Sequence, residues 1–197
     1  MLFFSKFLVC AIALAAPSLA ALNADQTAVY TRLSQMTTKD TNSGAIVDGM
    51  TAASIMSNGN QIVSFMQVSV SDLEFVRSKA ISGGPVAAGM VMDANIISTS
   101  FTFWAQGHTV LMLKMKDIGI IVRNSLNPWK APILAVMKME LTSIIAVTAQ
   151  LNAMLPGTGY AAQRSGISTQ ANTACKALKE AIVASGGSAP GGANTCV

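Results

Sequence analysis

Residues 101–122 read FTFWAQGHTVLMLKMKDIGIIV and contain His108, the only histidine of the chain. The stretch can be a membrane span, the wall of a site, or the inward seam of a bundle. Gln106, Gly107, His108, Lys114, Lys116 and Asp117 interrupt it. A spanning helix needs about 20 predominantly apolar residues, so no transmembrane span is expected here. Working outward, Met90, Ala94, Ile97, Phe101, Trp104, His108, Leu111, Met115, Ile118 and Val122 recur at alternating steps of four and three. That is a heptad-like seam, the spacing by which one helix face meets other helices. A second, partial face carries Phe103, Val110 and Leu113.

The same periodicity extends to the rest of the chain. Val29, Leu33 and Met36 share a face, and TTKDTNSG (37–44) then reads as a turn. A second helix is expected from about Gly44, with Ile46, Met50 and Ala53, and SNGN (57–60) as a further interruption. Ile62, Phe65, Met66, Leu73, Val76 and Ala80 continue to SGGP (82–85), the strongest break. Asn127-Pro128 ends the seam helix, because the residue before proline avoids helical geometry. Next, Ile133, Leu134, Met137, Leu141, Ile144, Ile145, Thr148, Leu151 and Leu155 form one stripe, with Lys138 and Glu140 read as lying off it. Pro156-Gly157 closes that segment, and Ile167, Ala171, Ala174, Leu178 and Ile182 mark the last. Sustained strand alternation is not found. The expected fold is all-α: an up-and-down bundle of four to five long amphipathic helices joined by short connections.

The chain opens MLFFSKFLVCAIALAAPSLA, with Lys6, an apolar run, Pro17 and small residues Ser18 and Ala20. This reads as a secretory signal over residues 1–20, followed by a bundle domain over 21–185 and a Gly-rich flexible tail over 186–197. The expected compartment is therefore extracellular or cell wall. Once Cys10 leaves with the signal, Cys175 and Cys196 form an even pair in an oxidising compartment, and one disulfide is expected between them. The 13 basic and 9 acidic residues are scattered, which argues against a nucleic-acid footprint.

Catalytic chemistry finds little to stand on. A serine hydrolase needs a base beside its nucleophile, and His108 has only Ser98 and Ser100 on its own helix, more than a turn away. The chain has no G-x-S-x-G elbow. One histidine and nine dispersed acids do not form a metal-ligand pattern. SGGPVAAG lacks the Lys-Ser/Thr of a phosphate loop. No catalytic residue, metal or cofactor is expected.

Methionine is abundant, with Met90, Met92, Met112, Met115, Met137, Met139 and Met154 in the two most apolar segments. Methionine fills irregular space and adapts to varied partners. Two readings stay open: a plain packed core, or a soft interior that accepts an apolar ligand. In the second, Phe101, Trp104, His108, Leu111 and Met115 form the wall, faced by Met137 and Leu141. An apolar pocket is then expected between the Met90–Val122 and Ile133–Leu155 helices. His108 is either a seam histidine bonded across the bundle or a contact for a ligand carboxylate.

The stretch GIIVRNSLNPWKAPILAVMKMELTSIIAVTAQLNAMLPGTGYAAQRSGISTQANTACKALKEAIVAS resembles the fungal hydrophobic surface-binding protein A family and its cell-wall galactomannoprotein relatives. A helix ends, an NPWKAP turn follows, a long apolar helix runs to Leu-Pro, and an Ala-rich helix succeeds it. QTAVYTRLSQMTTKDTNSGAIVDGM resembles the family's first helix and turn. The resemblance implies a secreted, non-enzymatic helical bundle that adsorbs to apolar surfaces, recruits a secreted esterase there, or holds a fatty acid between helices. A secreted effector or wall-structural protein acting through protein–protein contacts is the alternative.

Overall fold

A computed structural model describes residues 22–124 and 126–191; the expected signal, Cys196 and the end of the tail lie outside the described residues. Among the described residues there is no strand, and the all-α bundle expected from the sequence is present. Its helices are α1 (Ala24–Asp48), α2 (Ser54–Gly83), α3 (Val91–Asp117), a single turn α4 (Gly119–Val122), α5 (Lys130–Ala153) and α6 (Ala161–Ala184). A 3-10 turn, Thr158–Tyr160, precedes α6.

Side-chain links fix the arrangement. Asp25 pairs with Lys79 and Arg32 with Asp72, so α1 and α2 are antiparallel. Asp40 meets His108 and Asp48 meets Lys114, so α1 and α3 run parallel. Asn95 meets Gln163 and Lys116 meets Glu180, which makes α3 and α6 parallel too. The α2–α5 pair is also parallel, through Met56 to Trp129 and Glu74 to Ser143. The chain thus alternates up and down, with α1, α3 and α6 in one layer and α2 and α5 in the other. Helix α3 is the centre of the larger layer, and its inner face looks across to the smaller one. That position explains why its seam is the longest in the sequence.

Local chemistry sets the ends. Asn23 and Gln26 form a reciprocal capping box at the start of α1, with N–H to oxygen distances of 2.9 and 3.1 Å. Asn23 Nδ2 also donates to the Gly83 carbonyl at 2.8 Å, which ties that cap to the end of α2. There Gly84 takes φ +63°, a left-handed conformation that glycine adopts without steric cost. The α2–α3 connection is pinned to the opposite layer by Val86 N–H to the Met154 carbonyl at 2.7 Å, and by the Tyr160 hydroxyl to the Ala87 carbonyl.

The first boundary differs from expectation. TTKDTNSG lies inside α1, and the turn falls at residues 49–53 instead. The buried face of α1 continues through that segment as Asp40, Ser43, Gly44 and Val47. Thr37 and Thr41 turn their hydroxyls back onto the Leu33 and Thr37 carbonyls. Their weak helix propensity is overridden by packing against α3. Ile46 accordingly belongs to α1, and Met50 and Ala53 to the turn and its edge.

SNGN is likewise helical, within α2. Here Gly59 is a packing residue: a Cβ at this position would lie 2.4 Å from Trp129 Cδ1. Trp129 Nε1 donates to the Met56 carbonyl at 3.2 Å, which holds the indole in place. Gly59→Ala is expected to destabilise the protein by about 1–3 kcal/mol through overpacking. Urea unfolding would measure it, and an unchanged midpoint would show that the indole moves aside freely.

Among the described residues, α5 is the helix long and apolar enough to cross a membrane, although half of its most apolar window is buried inside the bundle. Its inward stripe runs Ile133, Val136, Met137, Glu140, Leu141, Ile144, Val147, Thr148 and Leu151. Glu140 is therefore on the stripe, contrary to the sequence reading. It lies three residues after Met137 and four before Ile144, both of them core positions.

Candidate functional site

The seven expected site residues are core positions. Phe101, Trp104, His108, Leu111 and Met115 on α3, and Met137 and Leu141 on α5, are all buried. The rings of Phe101 and Trp104 lie 5.3 Å apart at a 59° tilt, a favourable aromatic geometry. Trp104 stacks on the His108 imidazole at 5.3 Å and 29°.

What the hydrophobic pattern hid is the polar group at the middle of this seam. His108 Nδ1 lies 3.2 Å from Asp40 Oδ2 of α1, and Nε2 lies 3.8 Å from Glu140 Oε1 of α5. His108 and Glu140 have no solvent exposure, and Asp40 is nearly as deep. Three helices from both layers therefore meet on one imidazole. Ser69 of α2 joins from the side, beside the Glu140 carboxyl.

Burial works against a charge on the imidazole, but the carboxylates of Glu140 and Asp40 outweigh it and raise the His108 pKa to about 9. Burial also pushes the Glu140 carboxyl above its usual range, against the opposing pull of the imidazolium and of Ser69. Physically, one cation cannot fully compensate two buried carboxylates. Asp40 has the shorter contact, and Glu140 carries the excess as proton affinity.

This arrangement favours cohesion over nucleophilic chemistry. Both imidazole nitrogens face acids. Ser98 and Ser100 give their hydroxyls to the Asn95 and Ile96 carbonyls. Among the described residues no group of three His, Cys, Asp or Glu side chains is arranged to hold a metal ion. A ligand carboxylate at His108 would have to displace one of the two acids already there. Asp40, Glu140 and Ser69 are not among the site residues expected from the sequence. The available signal was an acid on the stripe, at Met36 plus four for Asp40 and at Met137 plus three for Glu140.

An open groove of about 530 Å³ lies between α1 and α2, away from the expected α3–α5 interface. Met36, Ile46, Phe65 and Val68 supply its apolar surface. Asn42, Ser43, Asn60, Gln61 and Ser64 supply amides and hydroxyls, and Asp40 and Ser69 lie on its buried side. None of the seven seam residues lines it. Lys39 and Asp72 also line it, and Asp72 is clamped by Lys39 at 2.6 Å and by Arg32 at 2.8 Å. Cys175 is buried on α6, while the expected bond to Cys196 falls outside the described residues. Comparison with protein-family models, with curated proteins and with solved structures finds no match to this chain.

Proposed function

We propose that the protein is a secreted, non-enzymatic binder of apolar surfaces or lipid, and that its contact face is the outer side of α3. The observation that carries this reading is a row of exposed apolar side chains: Met92 (66 %), Phe103 (39 %), Val110 (55 %) and Leu113 (42 %), with Ile96 half-buried between them. Steps of three, four and seven place them along one side of the helix over about 30 Å. Contiguous exposed apolar surface of this kind marks interaction sites. The inward seam is already occupied with packing, so the outward row is the apolar surface α3 has to offer. Nearby cations are committed elsewhere, Lys114 to Asp48 at 2.5 Å and Lys116 to Glu180 at 2.7 Å. Attraction to the surface is accordingly hydrophobic in character and resistant to salt.

Liposome flotation and adsorption to polystyrene beads test this. The wild type is expected to bind, with little change between low and high salt. A Phe103→Ser, Val110→Ser, Leu113→Ser triple variant is expected to lose most of that binding. Each of these side chains is exposed, so its thermal midpoint should stay close to wild type. A wild type that floats with neither vesicles nor beads would remove the reading, as would a triple variant that binds undiminished.

A further inference from the structure

The α1–α2 groove carries a pattern that the packing of the bundle does not use. Elsewhere on these two helices several serine and threonine hydroxyls fold back onto carbonyls, as Ser34, Thr37 and Thr41 do on α1 and Ser57 and Ser82 on α2, while Thr38, Ser71 and Ser78 face solvent. Such back-bonding is the default for a helical hydroxyl without another use. Ser43 and Ser69, both more than nine-tenths buried, line the groove; the Ser69 hydroxyl faces the Glu140 carboxyl, whereas Ser43 makes no hydrogen bond among the described residues. Asn60 and Gln61 at the rim are likewise uncommitted. Beside them Asp40 has spent Oδ2 on His108. A buried polar group left unpaired is costly, so native structures usually give it a partner.

The charges of the groove point to the kind of partner. Lys39 and Arg32 are committed to Asp72, and Asp40 to His108. No cation or anion is left over to compensate the desolvation of a charged ligand. What remains unspent is neutral: amides and hydroxyls that both donate and accept, next to the Phe65 ring and the Val68 and Ile46 side chains. We infer that the α1–α2 groove is a binding site for a neutral polyhydroxylated ligand of one or two sugar rings. Ser43 and Asp40 meet its hydroxyls at the buried end, Asn60 and Gln61 meet others at the rim, and Phe65 covers an apolar ring face. The volume lies within the range of small-molecule sites, about 300–1,000 Å³. This site is separate from the outer face of α3, so the two proposals stand or fall independently.

The test is an amide-resolved NMR titration of the full chain with methyl glycosides of glucose, mannose, galactose and xylose and the corresponding disaccharides. Hexanoate and hexylamine serve as charged controls. At least one neutral sugar is expected to give saturable shifts confined to residues 42–46 and 60–69, with neither control moving them. Ser43→Ala should weaken that binding about tenfold without lowering the thermal midpoint, because the hydroxyl it removes makes no hydrogen bond among the described residues. Asn60→Ala with Gln61→Ala, both at exposed positions, should weaken it as well. The inference is overturned if no sugar saturates by about 50 mM, well above ordinary millimolar affinities. Equal shifts from either charged control, or unchanged sugar binding in both variants, would overturn it too.

Discussion

His108→Ala is expected to destabilise the protein by about 3–5 kcal/mol at neutral pH, the cost of leaving buried charge uncompensated. Asp40 and Glu140 would then share the interior with no cation between them. The comparison that identifies the cause is the triple variant Asp40→Leu, His108→Met, Glu140→Met. It removes the charges together and is expected to be far less destabilised than the single variant, since apolar replacement of a whole buried cluster is often neutral. A triple variant as unstable as His108→Ala would assign the loss to imidazole packing against Trp104 instead.

The same cluster makes stability depend on pH with a definite sign. The folded-state pKa of His108 is raised from 6.5 to about 9, so between those values the folded protein binds more protons than the unfolded chain. Its contribution is fully present below pH 6.5 and lost as pH rises through about 9, and amounts to about 3 kcal/mol. Glu140, also raised, acts in the same direction: stability declines as pH climbs from the usual carboxylate range through its folded-state value. Urea unfolding at pH 5, 7 and 9 should show a falling midpoint, and His108→Gln should flatten the decline above pH 6.5. A midpoint that rises toward pH 9 in the wild type would contradict the geometry of the cluster.

Trp104→Ala is expected to cost about 3–5 kcal/mol, as truncation of a large buried aromatic does. Trp104 is fully buried between Phe101 and His108, and its Nε1 has no hydrogen-bond partner among the described residues. Trp104→Phe should therefore be much milder, because it keeps an aromatic face and deletes an unpaired donor. Thermal unfolding of the two variants separates volume from polarity. If Trp104→Phe were as damaging as Trp104→Ala, the indole nitrogen would hold a structural contact that the packing does not account for.

Helix class, the SGGP and Pro156-Gly157 boundaries and the inward face of α3 were legible in the sequence, because apolar spacing directly encodes which side of a helix loses water. The resulting seam residues, from Ala94 through Met115, are core residues in the fold. TTKDTNSG was misread because its local propensities favour a turn, and only contact with α3 across the bundle makes it helical. Glu140 was misplaced for a related reason: an acid on an apolar stripe looks like an error of phase until its counter-charge is visible. Asp40 and Glu140 are 100 residues apart in sequence, each far from His108, and no local pattern announces their meeting. By itself the sequence determined that this chain forms long helices and which faces turn inward, since helical periodicity is a property of neighbours along the chain. Which helices become neighbours, and so which buried acids surround His108 and where the α1–α2 groove opens, was decided by tertiary structure alone, because charge pairing and cavity shape depend on distances between elements that periodicity does not specify.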